Sequence, residues 1–134
     1  MLNAQGRPIE SDPKRVVVVE DDPTIAMLIA SILEDAGYWP FVVQDGRRAL
    51  QVVRELQPSV VTLDLELPGM DGRAVLHRLV PDGQSGHVPV VVVSGSIELL
   101  SREEHKLIAC ALTKPFDLVD LVEAVDAVVA REAS

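Results

Sequence analysis

The sequence has a single cysteine, Cys110, among 134 residues. This excludes an internal disulfide and suits a reducing compartment such as the cytoplasm. Aromatic residues supply only 3 % of the chain, namely Tyr38, Trp39, Phe41 and Phe116. The core is therefore expected to be aliphatic, and stacking platforms for nucleobases are nearly missing. Basic residues are also in deficit: 12 lysines and arginines face 21 acids, a formal charge of −9. That balance argues against nucleic acid or an anionic membrane surface as a partner. No apolar run approaches the roughly 18 residues of a membrane span. Residues 1–13 are mostly polar and lack the apolar stretch of a signal peptide, so they are expected to form a flexible extension.

What the chain does have is 48 % apolar residues, enough for one domain with a core of its own. From Arg15 onward, short β-branched runs alternate with segments of helical period. Residues 16–19 are four valines, as expected of a strand covered on both faces. Asp22-Pro23 is a cap followed by proline at the first helical position. Ile25, Leu28, Ile29, Ile32 and Leu33 then form one stripe, and Gly37 closes that helix. Residues 38–43 read as a second strand, placed at a sheet edge because Pro40 has no N–H for a ladder. Asp45-Gly46 leads into a helix bearing Ala49, Leu50, Val53 and Leu56, which Gln57-Pro58 ends. Residues 59–63 form a third strand, and Asp71 caps a helix with Val75, Leu76 and Leu79. After a turn-rich connection at 81–87, residues 88–93 form a fourth strand. Ser101 and Glu104 have the spacing of a capping box for a short helix. Residues 108–112 form a weak fifth strand, and Asp117 opens a last helix with the stripe Leu118, Leu121, Val122 and Val125.

This order is strand–helix repeated five times. Right-handed crossovers turn it into an α/β, three-layer, doubly wound sheet of five parallel strands with five helices. In such sheets function gathers at the carboxyl ends of the strands. The first strand ends in Glu20, Asp21 and Asp22, the third in Asp64 with Glu66 two residues later, and the fourth in Ser94; Lys114 follows the fifth. Clustered carboxylates repel one another unless neutralised, and a hard cation with a preference for oxygen ligands, such as Mg²⁺, relieves that repulsion. A carboxylate in this setting can attack an activated phosphoryl group, with Lys114, Ser94 and the metal facing the developing charge. The sequence has no Walker-type glycine loop, which argues against a nucleotide as donor.

Four fragments carry a family resemblance: Glu20-Asp21-Asp22-Pro23 after the valines, residues 62–72 around Asp64, Val92-Val93-Ser94-Gly95, and Leu112-Thr113-Lys114-Pro115-Phe116. Together they resemble the receiver domain of two-component response regulators, of the single-domain chemotaxis-regulator type, across residues 14–130. The resemblance implies a flavodoxin-like strand order 2-1-3-4-5. It implies that Asp64 accepts a phosphoryl group from a phosphohistidine on a histidine kinase or phosphotransfer protein. Asp21 and Asp64 would ligate Mg²⁺ (or Mn²⁺), with the backbone carbonyl of Glu66, and with Glu20 through water. Ser94 would bind a phosphoryl oxygen and move on activation, and Lys114 would pair with the phosphoryl group. The Glu66 side chain would overlook that group and tune its loss. Phosphorylation would change affinity for a downstream protein in the cytoplasm, with no catalysis beyond the domain's own phosphorylation and dephosphorylation. The family's donor contact would use the first helix, where Met27, Ala30, Ser31 and Glu34 lie off the buried stripe.

The sequence departs from the family pattern at Ala111, where the family often has Tyr or Phe three residues before the lysine. The interval from Ser94 to Lys114 is also about two residues short, and the usual Gly-Ala reads Ala109-Cys110. These departures leave open a degenerate receiver that acts as an interaction module without phosphorylation. A small Mg²⁺-dependent phosphohydrolase is a further alternative, on the strength of Asp64-Leu65-Glu66. The chain is expected to be a stand-alone receiver with a tail at 131–134, or else a receiver excised from a hybrid kinase. Plainer roles suit the remaining polar residues. Asp22 and Asp71 are helix caps, and Pro68-Gly69 shapes a loop. His77, His87 and His105 lack metal-ligand spacing, and Cys110 is a small packed residue. Asp117, Asp120, Glu123 and Asp126 form a solvated helix face.

Overall fold

A computed structural model of the chain describes residues 13–81 and 87–132. The extension expected at 1–13 thus lies almost wholly outside the described residues, as do most of the 81–87 connection and residues 133–134. Five strands form one parallel sheet in the order β2-β1-β3-β4-β5. They are β1 (Arg15–Val19), β2 (Trp39–Val43), β3 (Val60–Leu63), β4 (Val90–Ser94) and β5 (Cys110–Thr113). The helices are α1 (Pro23–Asp35), α2 (Gly46–Leu56), α3 (Gly72–Leu79), α4 (Arg102–His105) and α5 (Leu118–Glu132), with one 3-10 turn at Ile97–Leu99.

Side chains that alternate along each strand feed two cores. Val17, Val19, Val61, Leu63 and Val92 pack toward α2 and α3 with Ala49, Val75, Leu76 and Leu79. Val16, Val18, Val60, Val91 and Val93 pack toward α1 and α5 with Ile29, Leu33, Leu121 and Val125. Both faces of the sheet are dry, which is why the strands read as unbroken valine runs rather than alternating ones. Pro40 sits on the edge strand β2, where its missing N–H costs no ladder bond.

Asp22, Asp71 and the Ser101 box cap helices where the sequence places them, and Asp45 proves to be a further cap. Asp22 accepts from the amides of Thr24 and Ile25 at 2.9 and 3.2 Å, Asp45 from Arg48 at 2.8 Å, and Asp71 from Arg73 at 2.9 Å. Gly37 has a φ of +96°, a left-handed position that suits glycine where α1 ends. Ser101 and Glu104 form the full capping box of α4.

Some expected boundaries and faces shift. Leu28 and Leu118 are exposed, and the buried stripes run through Ala26, Ile29 and Leu33 on α1 and Leu121, Val125 and Val128 on α5. The helix phase is set by what meets the sheet, so the small Ala26 faces it while Leu28, two residues on and nearly on the opposite side of the helix, does not. β4 starts at Val90 because Pro89 has no N–H, although the Pro89 carbonyl still accepts from Val61 at 3.0 Å. β5 runs 110–113 rather than 108–112. α5 continues through Arg131 and Glu132.

Candidate functional site

β1, β3, β4 and β5 end side by side, and each delivers polar residues to the same rim. Glu20 and Asp21 follow β1, Asp64 follows β3, Ser94 closes β4, and Lys114 follows β5. The Asp64 amide donates to the Val19 carbonyl and the Lys114 amide to the Ser94 carbonyl, both at 3.0 Å. The sheet ladder thus extends one residue past each strand and fixes these backbones. Glu20, Asp64 and Ser94 are buried, Lys114 is mostly buried, and Asp21 and Glu66 are exposed.

Lys114 Nζ donates to Asp64 Oδ2 at 2.9 Å and also to Glu20 Oε1. The remaining oxygens are held too: the Glu66 amide donates to Asp64 Oδ1 and the Asp22 amide to Glu20 Oε2, each at 3.1 Å. Burial pushes the Glu20 carboxyl above its ordinary range, and the Asp64 charge adds to this; Lys114 and the Asp22 amide oppose it without cancelling it. Burial also works against the Lys114 ammonium, but its bonds to Glu20 and Asp64 hold its pKa above the usual lysine value. The peptide bond between Lys114 and Pro115 is cis.

Carboxylate oxygens of Glu20, Asp21 and Asp64 lie within 4.8 Å of one another, two of the residues buried and one open to solvent. Oxygen donors of net negative charge with one exposed member fit a hard divalent cation that retains waters.

The expected site residues therefore converge. Ser94 Oγ accepts from the Ser96 amide at 3.1 Å. The Glu66 side chain accepts from Ser96 Oγ, which links the segment after β3 to the segment after β4. Ser96 was not anticipated from the sequence; its spacing two residues after Ser94 was the available signal. The wider role of a second polar group has no signal in the sequence. Glu104, anticipated only as a cap, is 3 % exposed, and its carboxylate also takes Arg73 Nε at 2.9 and 3.1 Å and His77 Nε2 at 2.7 Å. His77 is thus half of an α3 pair facing α4 rather than a bystander. Among the described residues no helix is long and apolar enough to cross a membrane.

Comparison with known proteins points the same way. A family model described as the response regulator receiver domain matches residues 16–126. The DNA-binding response regulator MtrA of Mycolicibacterium smegmatis is 42 % identical over 85 residues, which is 63 % of this chain and 36 % of MtrA. The chain spans between about a third and a half of the length of the first curated relatives it matches. The sporulation initiation phosphotransferase F of Bacillus subtilis is 27 % identical over 84 % of this chain and 90 % of its own length. Among solved structures, the receiver domain of the Francisella response regulator 1452 superposes with a TM-score of 0.78 at 30 % identity, covering 89 % of this chain and 98 % of that one.

Proposed function

The chain belongs to the response regulator receiver family of two-component signalling, and on that premise we propose that Asp64 is a phosphoacceptor whose modification switches affinity for a partner protein. The observation that carries this reading is the Lys114 ammonium shared between the buried carboxylates Glu20 and Asp64, beside the exposed carboxylate Asp21. The likeness to a phosphotransferase over nine-tenths of that protein's length supports it.

In the proposed transfer, a carboxylate oxygen of Asp64 attacks the phosphorus of a phosphohistidine. The new O–P bond forms as the N–P bond breaks, and its electron pair returns to the imidazole of the donor. Asp21, Asp64 and the Glu66 carbonyl, with Glu20 through water, would hold Mg²⁺, which supplies charge neutralisation for the phosphoryl oxygens. Lys114 leaves its bridge to pair with one phosphoryl oxygen, and the Ser94 hydroxyl donates to another. Hydrolysis is a second in-line displacement: the oxygen of water bonds to phosphorus as the Asp64 O–P bond breaks, the carboxylate is regenerated, and inorganic phosphate leaves with the water's proton or releases it to solvent. The Glu66 side chain would overlook the phosphoryl group and tune that loss.

The donor would dock on α1, where Met27 is 67 % exposed and Ser31 and Glu34 also face solvent. Charged substitutions at Met27 and Ala30 would then slow transfer from a kinase but not from a small phosphodonor.

The deciding experiment incubates the protein with Mg²⁺ and acetyl phosphate and measures intact mass beside the Asp64→Asn variant. One added phosphoryl group, labile to acid and base and lost in the variant, is expected. Failure with both acetyl phosphate and a phosphorylated kinase would overturn the reading. It would favour a phosphorylation-independent interaction module, the alternative that Ala111 at the usual aromatic position supports.

A further inference from the structure

The segment from Ser94 to Leu107 joins the candidate site to α4, and its attachments are unequal. Leu100 is buried in the α2–α3 core. α4 itself is one turn long, and its only buried residue is Glu104. A helix normally docks through an apolar stripe. This one docks through a carboxylate.

All the donors on that carboxylate are accounted for. Arg73 Nε reaches both oxygens, His77 Nε2 reaches one at 2.7 Å, and the Ser101 amide reaches the other at 2.9 Å. Arg73 and His77 stand one turn apart on α3, so they present two donors to one point. α3 is in turn tied to the phosphoacceptor. A Cβ on Gly72 would lie 2.4 Å from Leu65 Cα and 2.7 Å from the Asp64 carbonyl oxygen, so the start of α3 rests directly on that backbone. α3 is the fixed element, and α4 is held to it by Glu104.

At the other end of the segment, Ser94 Oγ accepts the Ser96 amide, and Ser96 Oγ donates to Glu66. Both contacts must rearrange if Ser94 turns to a phosphoryl group. Residues 95–101 are the covalent link from that rearrangement to α4, where the Glu104 contacts would resist it.

We propose that Glu104, gripped by Arg73 and His77, is a clasp that holds α4 in its resting position and thereby opposes occupation of Asp64 by a phosphoryl group. The inference rests on the phosphoacceptor reading above. It gives this chain a route from Asp64 to α4 along residues 94–101, working against α3 as the anchor, where Ala111 offers no aromatic side chain to follow Ser94. Glu104 is a positioning residue: it touches neither the metal ligands nor the reacting atoms. By linkage, a contact that favours the resting state weakens every ligand that favours the other state.

The test titrates the full chain with beryllofluoride and Mg²⁺, a stable stand-in for the phosphoryl group. Glu104→Gln should bind at least threefold more tightly than the wild type although it is less stable, and His77→Ala should shift the same way by less. A purely structural salt bridge would lower stability without tightening binding. Hydrogen exchange on the wild type gives a reading that needs no variant: the amides of residues 104–107 should exchange faster with beryllofluoride bound. Equal or weaker binding in the folded variants, or unchanged exchange at 104–107, would overturn the clasp while leaving the phosphoacceptor reading intact. Absence of any beryllofluoride binding by the wild type would overturn both.

Discussion

Two buried carboxylates in this molecule have opposite fates. Glu20 and Glu104 are each almost fully enclosed and each meets a basic side chain. The Glu20 carboxyl is pushed above its ordinary range. For Glu104, burial also pushes upward, but the Ser101 amide, His77 and Arg73 overcome it and hold the group at about 2. The difference lies in the company each keeps. Glu20 shares one ammonium with Asp64, and that second carboxylate adds to its burden. Every group that touches Glu104 is a donor. The Glu104 cluster is electrostatically complete, whereas the strand-end cluster is short of positive charge. A deficit of that kind, open to solvent through Asp21, is what a cation-binding and phosphoryl-accepting site requires.

The sharpest way to break this comparison is at Lys114. Lys114→Ala should slow phosphorylation by acetyl phosphate by roughly 10²–10³-fold, the usual loss when one donor to a developing charge is removed. Intact-mass time courses measure it; a loss below tenfold would mean that the ammonium is structural. Mg²⁺ should repair the deficit and leave the complete cluster alone. At a hundredfold excess over its Kd, binding to the native state alone adds about 2.7 kcal/mol to unfolding. That gain, read from urea midpoints, should fall sharply in Asp21→Asn and persist in Glu104→Gln.

The two glutamates should also respond with opposite sign to the loss of their charge. Glu104→Gln is expected to cost roughly 1–3 kcal/mol at pH 7, because Arg73, His77 and the Ser101 amide lose a charged acceptor that is itself buried. Glu20→Gln in Mg²⁺-free buffer should raise the urea midpoint instead. Its folded-state pKa lies above the unfolded value, so its ionisation erodes stability as pH rises through that range. For Glu104 the folded value is depressed from 4.5 to about 2, so its contribution is present above pH 4.5 and is lost as pH falls through 2. The wild type should lose stability across that acid window more steeply than Glu104→Gln does. The smallest effect belongs to a residue in neither cluster. Leu28→Ser, at an exposed position, should change stability by no more than about 0.5 kcal/mol.

The sequence by itself determined the order of strands and helices, three of the caps, the edge position of β2, and the residues at the strand ends. These depend on short-range physics: a proline lacks a donor, an aspartate caps the amides two or three residues on, and a strand buried on both faces must be apolar throughout. Topology then carries such strand ends to one rim, which is why Glu20, Asp21, Asp64, Ser94 and Lys114 were legible before any coordinates. Only the tertiary structure decided the rest. Leu28 counted as core by spacing, yet the rotation of α1 on the sheet turned Ala26 inward instead. Ser96 met Glu66 across 30 residues, and Glu104 met His77 and Arg73 across 27 and 31. Those meetings depend on how far the β4–α4 segment reaches and which face α3 turns outward. No local pattern encodes them, because side chains that far apart in sequence become neighbours only after the helices have packed on the sheet.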